Sequence, residues 1–149
     1  MLFGDLLIAT APSFADLTQG CVARVSVGTT PAASCAIGND VLGGYPTHMD
    51  VQIVGSIEML WLAVSTSFTA GTLRGFDLKM ATLWSAPISG ANQQITDVAG
   101  CPDGAVVTTD ATFGNAGFRV YKEAVEVTTA PISIGLPPGF GNSLVCSDK

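Results

Sequence analysis

Oxygen-bearing side chains recur at matching points of this chain. Asp50 and Asp97 each head an apolar stretch, as Asp50-Val51 and Asp97-Val98, and Asn142 precedes the similar Ser143-Leu144. Carboxylate and amide oxygens brought to one point would suit Ca²⁺ or another divalent cation. Asp50 and Asp97 are therefore candidate metal ligands. The same oxygens would serve ordered water, or accept backbone N–H groups where their own strands begin. The chain has one histidine, His48, which rules out a multi-histidine zinc site within one chain. A general acid or base needs a partner. The one the sequence offers is Asp50, two residues on and on the same side of an extended strand. A solvated or hydrogen-bonded loop histidine is the plainer alternative. The loop aromatics Tyr45 and Phe140 just precede the same stretches. No G-x-S-x-G, Walker or strand–helix GxGxxG pattern is present, so no nucleophile or phosphate cradle is marked.

Those residues must be positioned by a fold, and composition bounds it. The 149 residues are one domain's worth of chain, 48% hydrophobic and 12% charged. Low charge with abundant Ser, Thr, Gly and Ala fits short strands and tight turns better than solvated helices. The net charge of −6, with only six Lys plus Arg, argues against nucleic-acid binding and against anionic membrane surfaces. No apolar run reaches the roughly 18–20 residues of a spanning helix. Residues 1–15 lack a basic start and are interrupted by Asp5, so no signal peptide is expected. Location is left open: cytoplasmic by default, with a secreted origin as the alternative. Four cysteines without a CxxC spacing are too few for a disulfide scaffold, and buried free thiols are expected. A Cys21–Cys35 bridge is conceivable. A simple turn at 28–31 would set Cys21 nearer Ile37 or Gly38, however.

Periodicity gives the architecture. Three units each read as four short strands. First strands are expected at 49–54, 96–101 and 142–146, and second strands at 6–9, 60–64 and 106–109. Third strands fall at 21–27, 73–78 and 118–121, and fourth strands at 33–37, 83–88 and 125–134. Phe14, Phe68 and Phe113 follow the second strands. Pro102-Asp103-Gly104, Gly114-Asn115 and Ala70-Gly71 supply turns where the boundaries need them. Helical periodicity is missing throughout, so the class is all-β. Four strands per unit is the blade of a β-propeller, with a β-sandwich or solenoid as alternatives. Trp61, Trp84, Phe68, Phe76, Phe113, Phe118 and Tyr121 fall at strand positions and are expected mostly in the core between units.

The unit from Ile95 to Tyr121, with its apolar strand, Pro102-Asp103-Gly104 turn, second strand ending in Asp110 and aromatic third strand, resembles bacterial propeller blades of the NHL and YVTN type. The resemblance covers essentially the whole chain, once per unit, although Val54-Gly55-Ser56-Ile57 replaces the Pro-Asp-Gly turn in one of them. It implies a single domain over 1–149, with blades at about 1–44, 45–93 and 94–141. It also puts His48, Asp50, Asp97 and Asn142 at the mouth of a central channel, with Tyr45 and Phe140 beside them. Three blades do not close a ring. The N-terminus supplies strands two to four of a blade and the C-terminus supplies strand one. Met1 and Lys149 flank those strands closely, which favours a genuine short product over the alternative, a fragment of a longer gene. The expectation is a six-bladed ring made by a twofold homodimer, in which residues 142–149 complete the partner's blade 1–44. Leu144, Val145 and Cys146 of each chain would pair with Leu6, Leu7 and Ile8 of the other. Such a ring implies a binding or interaction module with an unidentified small-molecule or protein ligand. The alternative is a small-molecule hydrolase or lyase with a metal on the axis, and a purely structural half-ring is a third option.

Overall fold

The structure is a computed structural model and describes residues 5–13, 16, 18–26, 29–79, 82–83, 88–90, 92–135 and 144–147. Three antiparallel sheets follow one another along the chain. The first holds β1 (Asp5–Thr10), β2 (Cys21–Ser26) and β3 (Ala32–Ile37). A single helical turn, α1 (Asn39–Leu42), leads into the second sheet: β4 (Tyr45–Val54), β5 (Ile57–Ser67), β6 (Ala70–Asp77) and β7 (Thr82–Leu83). The third holds β8 (Ile95–Gly100), β9 (Ala105–Asp110), β10 (Gly117–Lys122) and β11 (Val125–Glu126). Each sheet is ordered as the chain runs, and the sheets remain open, with β1, β4 and β8 at edges. The expected all-β class holds.

Hairpin turns make this order inexpensive, because every neighbour in a sheet is a neighbour in sequence. Val54 pairs with Ile57 across the two-residue turn Gly55-Ser56, and Gly55 sits at φ 62°, where an L side chain would be strained. Pro102-Asp103-Gly104 turns β8 into β9 as expected. Gly104 N donates to Cys101 O at 3.0 Å, and Ala105 N donates to Asp103 Oδ1 at 3.1 Å.

The layers are organised around β5. It is a continuous apolar run because both of its faces are covered. Met59, Trp61 and Ala63 point one way, into a cluster with Leu73, Ile95, Val98, Val106 and Tyr121 of β6 and the third sheet. Leu60, Leu62 and Val64 point the other way, against Val22, Ile37 and Leu42 of the first sheet and α1. Strand alternation thus makes β5 the shared core of three stacked sheets. Each fully buried Leu or Val contributes about 1.5–3 kcal/mol relative to exposure. The first sheet covers one face only. Leu6 and Ile8 on its other face are 53% and 38% exposed, opposite Val25 and Ala23.

Three expectations are corrected. Phe68 and Phe113 are not core: they sit in hairpin turns and are exposed, whereas Trp61 and Tyr121 are buried. The fourth strand expected at 125–134 is limited to Val125–Glu126, and Ile132 returns only as an isolated bridge to Phe118. The cysteines are not free thiols. Cys21 is bonded to Cys35 and Cys101 to Cys146, with Cα separations of 5.9 and 5.1 Å. The register is close to the expected one, since Val22 pairs with Ile37. A bulge between Val22 and Ala23 then sets Ala23 opposite Cys35, and Cys21 lies on the same face as Ala23, so the bridge forms diagonally. Phe14 and Trp84 lie outside the described residues.

Candidate functional site

β4 and β8 are the edge strands where the second and third sheets meet, and the singled-out polar residues lie along them. Asp50 Oδ1 accepts its neighbour's N–H, from Val51, at 2.9 Å. Asp50 Oδ2 accepts Gly100 N–H at 2.7 Å, so one carboxylate ties β4 to β8. Asp97 repeats the device one sheet further on. Its Oδ1 accepts Val98 N–H at 2.8 Å, and its Oδ2 accepts Leu144 N–H at 3.2 Å. A carboxylate thus ties the C-terminal segment to β8 as another ties β8 to β4, although residues 144–147 form no strand. The Cys101–Cys146 bridge fixes the same segment covalently two residues away. Asp97 is fully buried, so these charge-assisted bonds are made away from water.

His48 does not depend on Asp50. Its Nε2 lies 3.2 Å from Asp97 Oδ1, across the gap between sheets. A bulge in β4 between Pro46 and His48 accompanies this arrangement. Thr47 Oγ1 donates to Ala63 O at 3.1 Å and reaches Thr96 O at 3.4 Å, which holds the same stretch in place. Tyr45 opens β4 opposite Ser65 and is half-buried. Asn142 and Phe140 lie outside the described residues. Among the described residues, no three His, Cys, Asp or Glu side chains gather as a cation site. Chemically, the arrangement is a clamp: an imidazole and two carboxylates whose bonds join strands of different sheets.

Two polar centres were not marked by the sequence. Gln52 is buried between the sheets. Its Nε2 donates to Cys101 O at 2.6 Å and to Ala105 O at 2.8 Å, while its Oε1 accepts Trp61 Nε1–H at 2.8 Å. Gly100 permits this contact, because a Cβ there would stand 2.6 Å from Gln52 Cβ. The second centre is Asp110 with Arg119. Arg119 Nε donates to Asp110 Oδ2 at 2.7 Å, and its Nη1 donates to Glu126 Oε1 at 2.6 Å. Asp110 Oδ1 also accepts the Thr112 hydroxyl and the N–H groups of Thr112 and Gln94. Burial alone would push the Asp110 carboxyl up. The donors from Thr112, Arg119 and Gln94 outweigh burial and hold it below the usual carboxylate range. Burial, then the Glu126 carboxylate, push the Tyr121 phenol up to about 12. The resembling unit displayed Asp110 at a strand end, but no local pattern announced its partner on the next strand.

Comparison with protein-family models, with curated proteins and with solved structures finds no match to this chain.

Proposed function

We propose that this chain is a three-bladed half of a β-propeller, completed as a six-bladed ring by a second copy and acting as a binding or interaction module. The observation that carries it is the recurring carboxylate clamp. Asp50 joins β4 to β8, and Asp97 joins β8 to Leu144, which supports a reading in which residues 144–146 would serve as a next inner strand. They belong to no sheet of their own chain, while β1 is paired on one side only. In the ring, Leu144, Val145 and Cys146 of one copy would extend the partner's sheet beside Leu6, Leu7 and Ile8. The outer face of the first sheet, with exposed Leu6 and Ile8, would pack on the partner's third sheet. His48, Asp50 and Asp97, with Tyr45, would stand near the channel mouth, joined there by Asn142 and Phe140.

The alternative of a metal-dependent hydrolase or lyase gains no support from the clamp, because all four oxygens of Asp50 and Asp97 already accept backbone N–H groups. Two disulfides favour an oxidising compartment over the cytoplasmic default. The test is the mass in solution. Light scattering should give twice the chain mass at micromolar concentration, and removal of residues 142–149 should give monomers or aggregates. A monomeric full chain would overturn the proposal.

A further inference from the structure

A second concavity lies away from the clamp, where the turns of the second and third sheets converge. It encloses about 300 Å³. Its walls are Val54, Ile57, Met59 and Trp61. The Trp61 indole N–H is already taken by Gln52, which is itself held by two carbonyls, so the ring is fixed and offers carbon to the cavity. Gly104 borders the space at φ 84°, in the left-handed region that favours glycine. Val54 and Ile57 form an apolar lip more than two-fifths exposed.

The rim is charged, in a chain with few charges. Asp103, Lys122 and Glu123 line it. Lys122 Nζ lies 3.7 Å from Asp103 Oδ2, and both side chains are largely exposed. Such a pair contributes about 0–1 kcal/mol in water, so a ligand bearing both charges displaces it at little cost. Glu123 and Ala124 form the β10–β11 turn with φ of 49° and 63°, a left-handed conformation unusual for non-glycine residues. The turn sets the Glu123 carboxylate beside Lys122. The cavity thus pairs an apolar interior with one cation and two anions at its mouth.

We infer that this cleft binds a free amino acid with a large apolar side chain. The side chain enters against Trp61 and Met59, the carboxylate meets Lys122, and the ammonium meets Asp103 and Glu123. The site lies within one protomer and is independent of ring closure. The test uses Trp61 fluorescence in a Trp84→Phe background, which leaves one indole. L-phenylalanine and L-leucine should each give a saturable change. Phenethylamine and 3-phenylpropionate, each lacking one charge, should bind about tenfold more weakly. Lys122→Met should erase the preference for phenylalanine over phenethylamine. Ile57→Trp, which fills the exposed lip, should abolish binding, read by calorimetry since it adds an indole. Three results would overturn the assignment: no saturable response up to about 10 mM, a range that covers millimolar affinity; equal affinity for the single-charge analogues; or binding that survives Ile57→Trp. A melt of each variant separates loss of binding from loss of fold.

Discussion

Replacing Leu6 by Lys tests ring closure with little disturbance of the protomer. Leu6 is 53% exposed in the single chain, on the outer face of β1, so the substitution should change protomer stability by less than about 0.5 kcal/mol. In a closed ring, the partner covers the exposed half of that side chain. Full burial of a leucine contributes about 1.5–3 kcal/mol, so half contributes about 1 kcal/mol. An ammonium in its place must also lose water, which the long lysine stem relieves in part. About 2 kcal/mol is a moderate allowance. The contact occurs twice in a twofold ring, for a total of about 6 kcal/mol, or roughly four orders of magnitude in the dissociation constant. Sedimentation equilibrium over a concentration series should show a dimer for the parent and a monomer for Leu6→Lys, with matching far-ultraviolet melts. Ile57→Lys, at a position 44% exposed on the second sheet, should leave the mass unchanged. A Leu6→Lys chain that dimerises as tightly as its parent would refute the reasoning.

The remaining expectations concern the buried bonds. Gln52→Leu removes three hydrogen bonds, one from Trp61 Nε1–H and one to each of Cys101 O and Ala105 O, which keep the Gly104 and Cys101 N–H groups, and should cost about 2–3 kcal/mol, lowering Tm by roughly 5–10 °C in a thermal melt. A change below about 1 kcal/mol would show that water replaces the amide. The Asp110 carboxyl titrates below its ordinary value of 3.8 in the fold. Its stabilisation is therefore complete above that value and is lost as pH falls through the lower, folded one. Urea midpoints measured from about pH 6 to about pH 2 should fall for the parent, and more gently for Asp110→Asn, which starts lower. Cys146→Ser opens a link between residues 45 apart and should cost about 4 kcal/mol on chain-entropy grounds. It should also let brief proteolysis remove the C-terminal segment. A segment that stays protected in Cys146→Ser would show that the Asp97 bond to Leu144 holds it alone.

Most strands were legible because their signals are local. Alternation and turn chemistry mark β8, the Pro102-Asp103-Gly104 turn and β9 without reference to anything distant. Phe68 and Phe113 misled because regular spacing reports equivalence, not burial, and a turn tip is as regular as a core position. The Cys21–Cys35 bridge was named from the sequence but disfavoured on register, because it depends on a bulge, which adds a residue to one strand with no compositional mark. The candidate site was legible only in part. Asp50 and Asp97 do accept N–H groups at their own strands, as the plainer alternative held. Their second bonds, and the pairing of His48 with Asp97 in place of Asp50, arise only when separate sheets meet. Gln52 was invisible for the same reason. A glutamine in an apolar strand carries no sign of the carbonyls that another sheet will bring to it.

A stack of sheets in which each middle layer is apolar on both faces has no natural end. β5 shows what a satisfied layer looks like, with alternate side chains feeding two cores. The first sheet has one satisfied face, and its other face presents Leu6 and Ile8 to water. At the far end, Ile132, Ile134 and Val145 are exposed around the third sheet and the C-terminal segment. Two unlike apolar ends on one chain would, in the proposed assembly, make a heterologous contact, which yields either a closed ring or an open filament. The C-terminal segment favours an ordered joint. Asp97 and the Cys101–Cys146 bridge hold it beside β8 before any partner arrives. A segment already held in place would lose less entropy on pairing in the proposed ring than a free tail, so more of the new backbone bonding would appear as affinity. In the proposed ring, the clamp that looked like a candidate active centre would fix the closing segment in position.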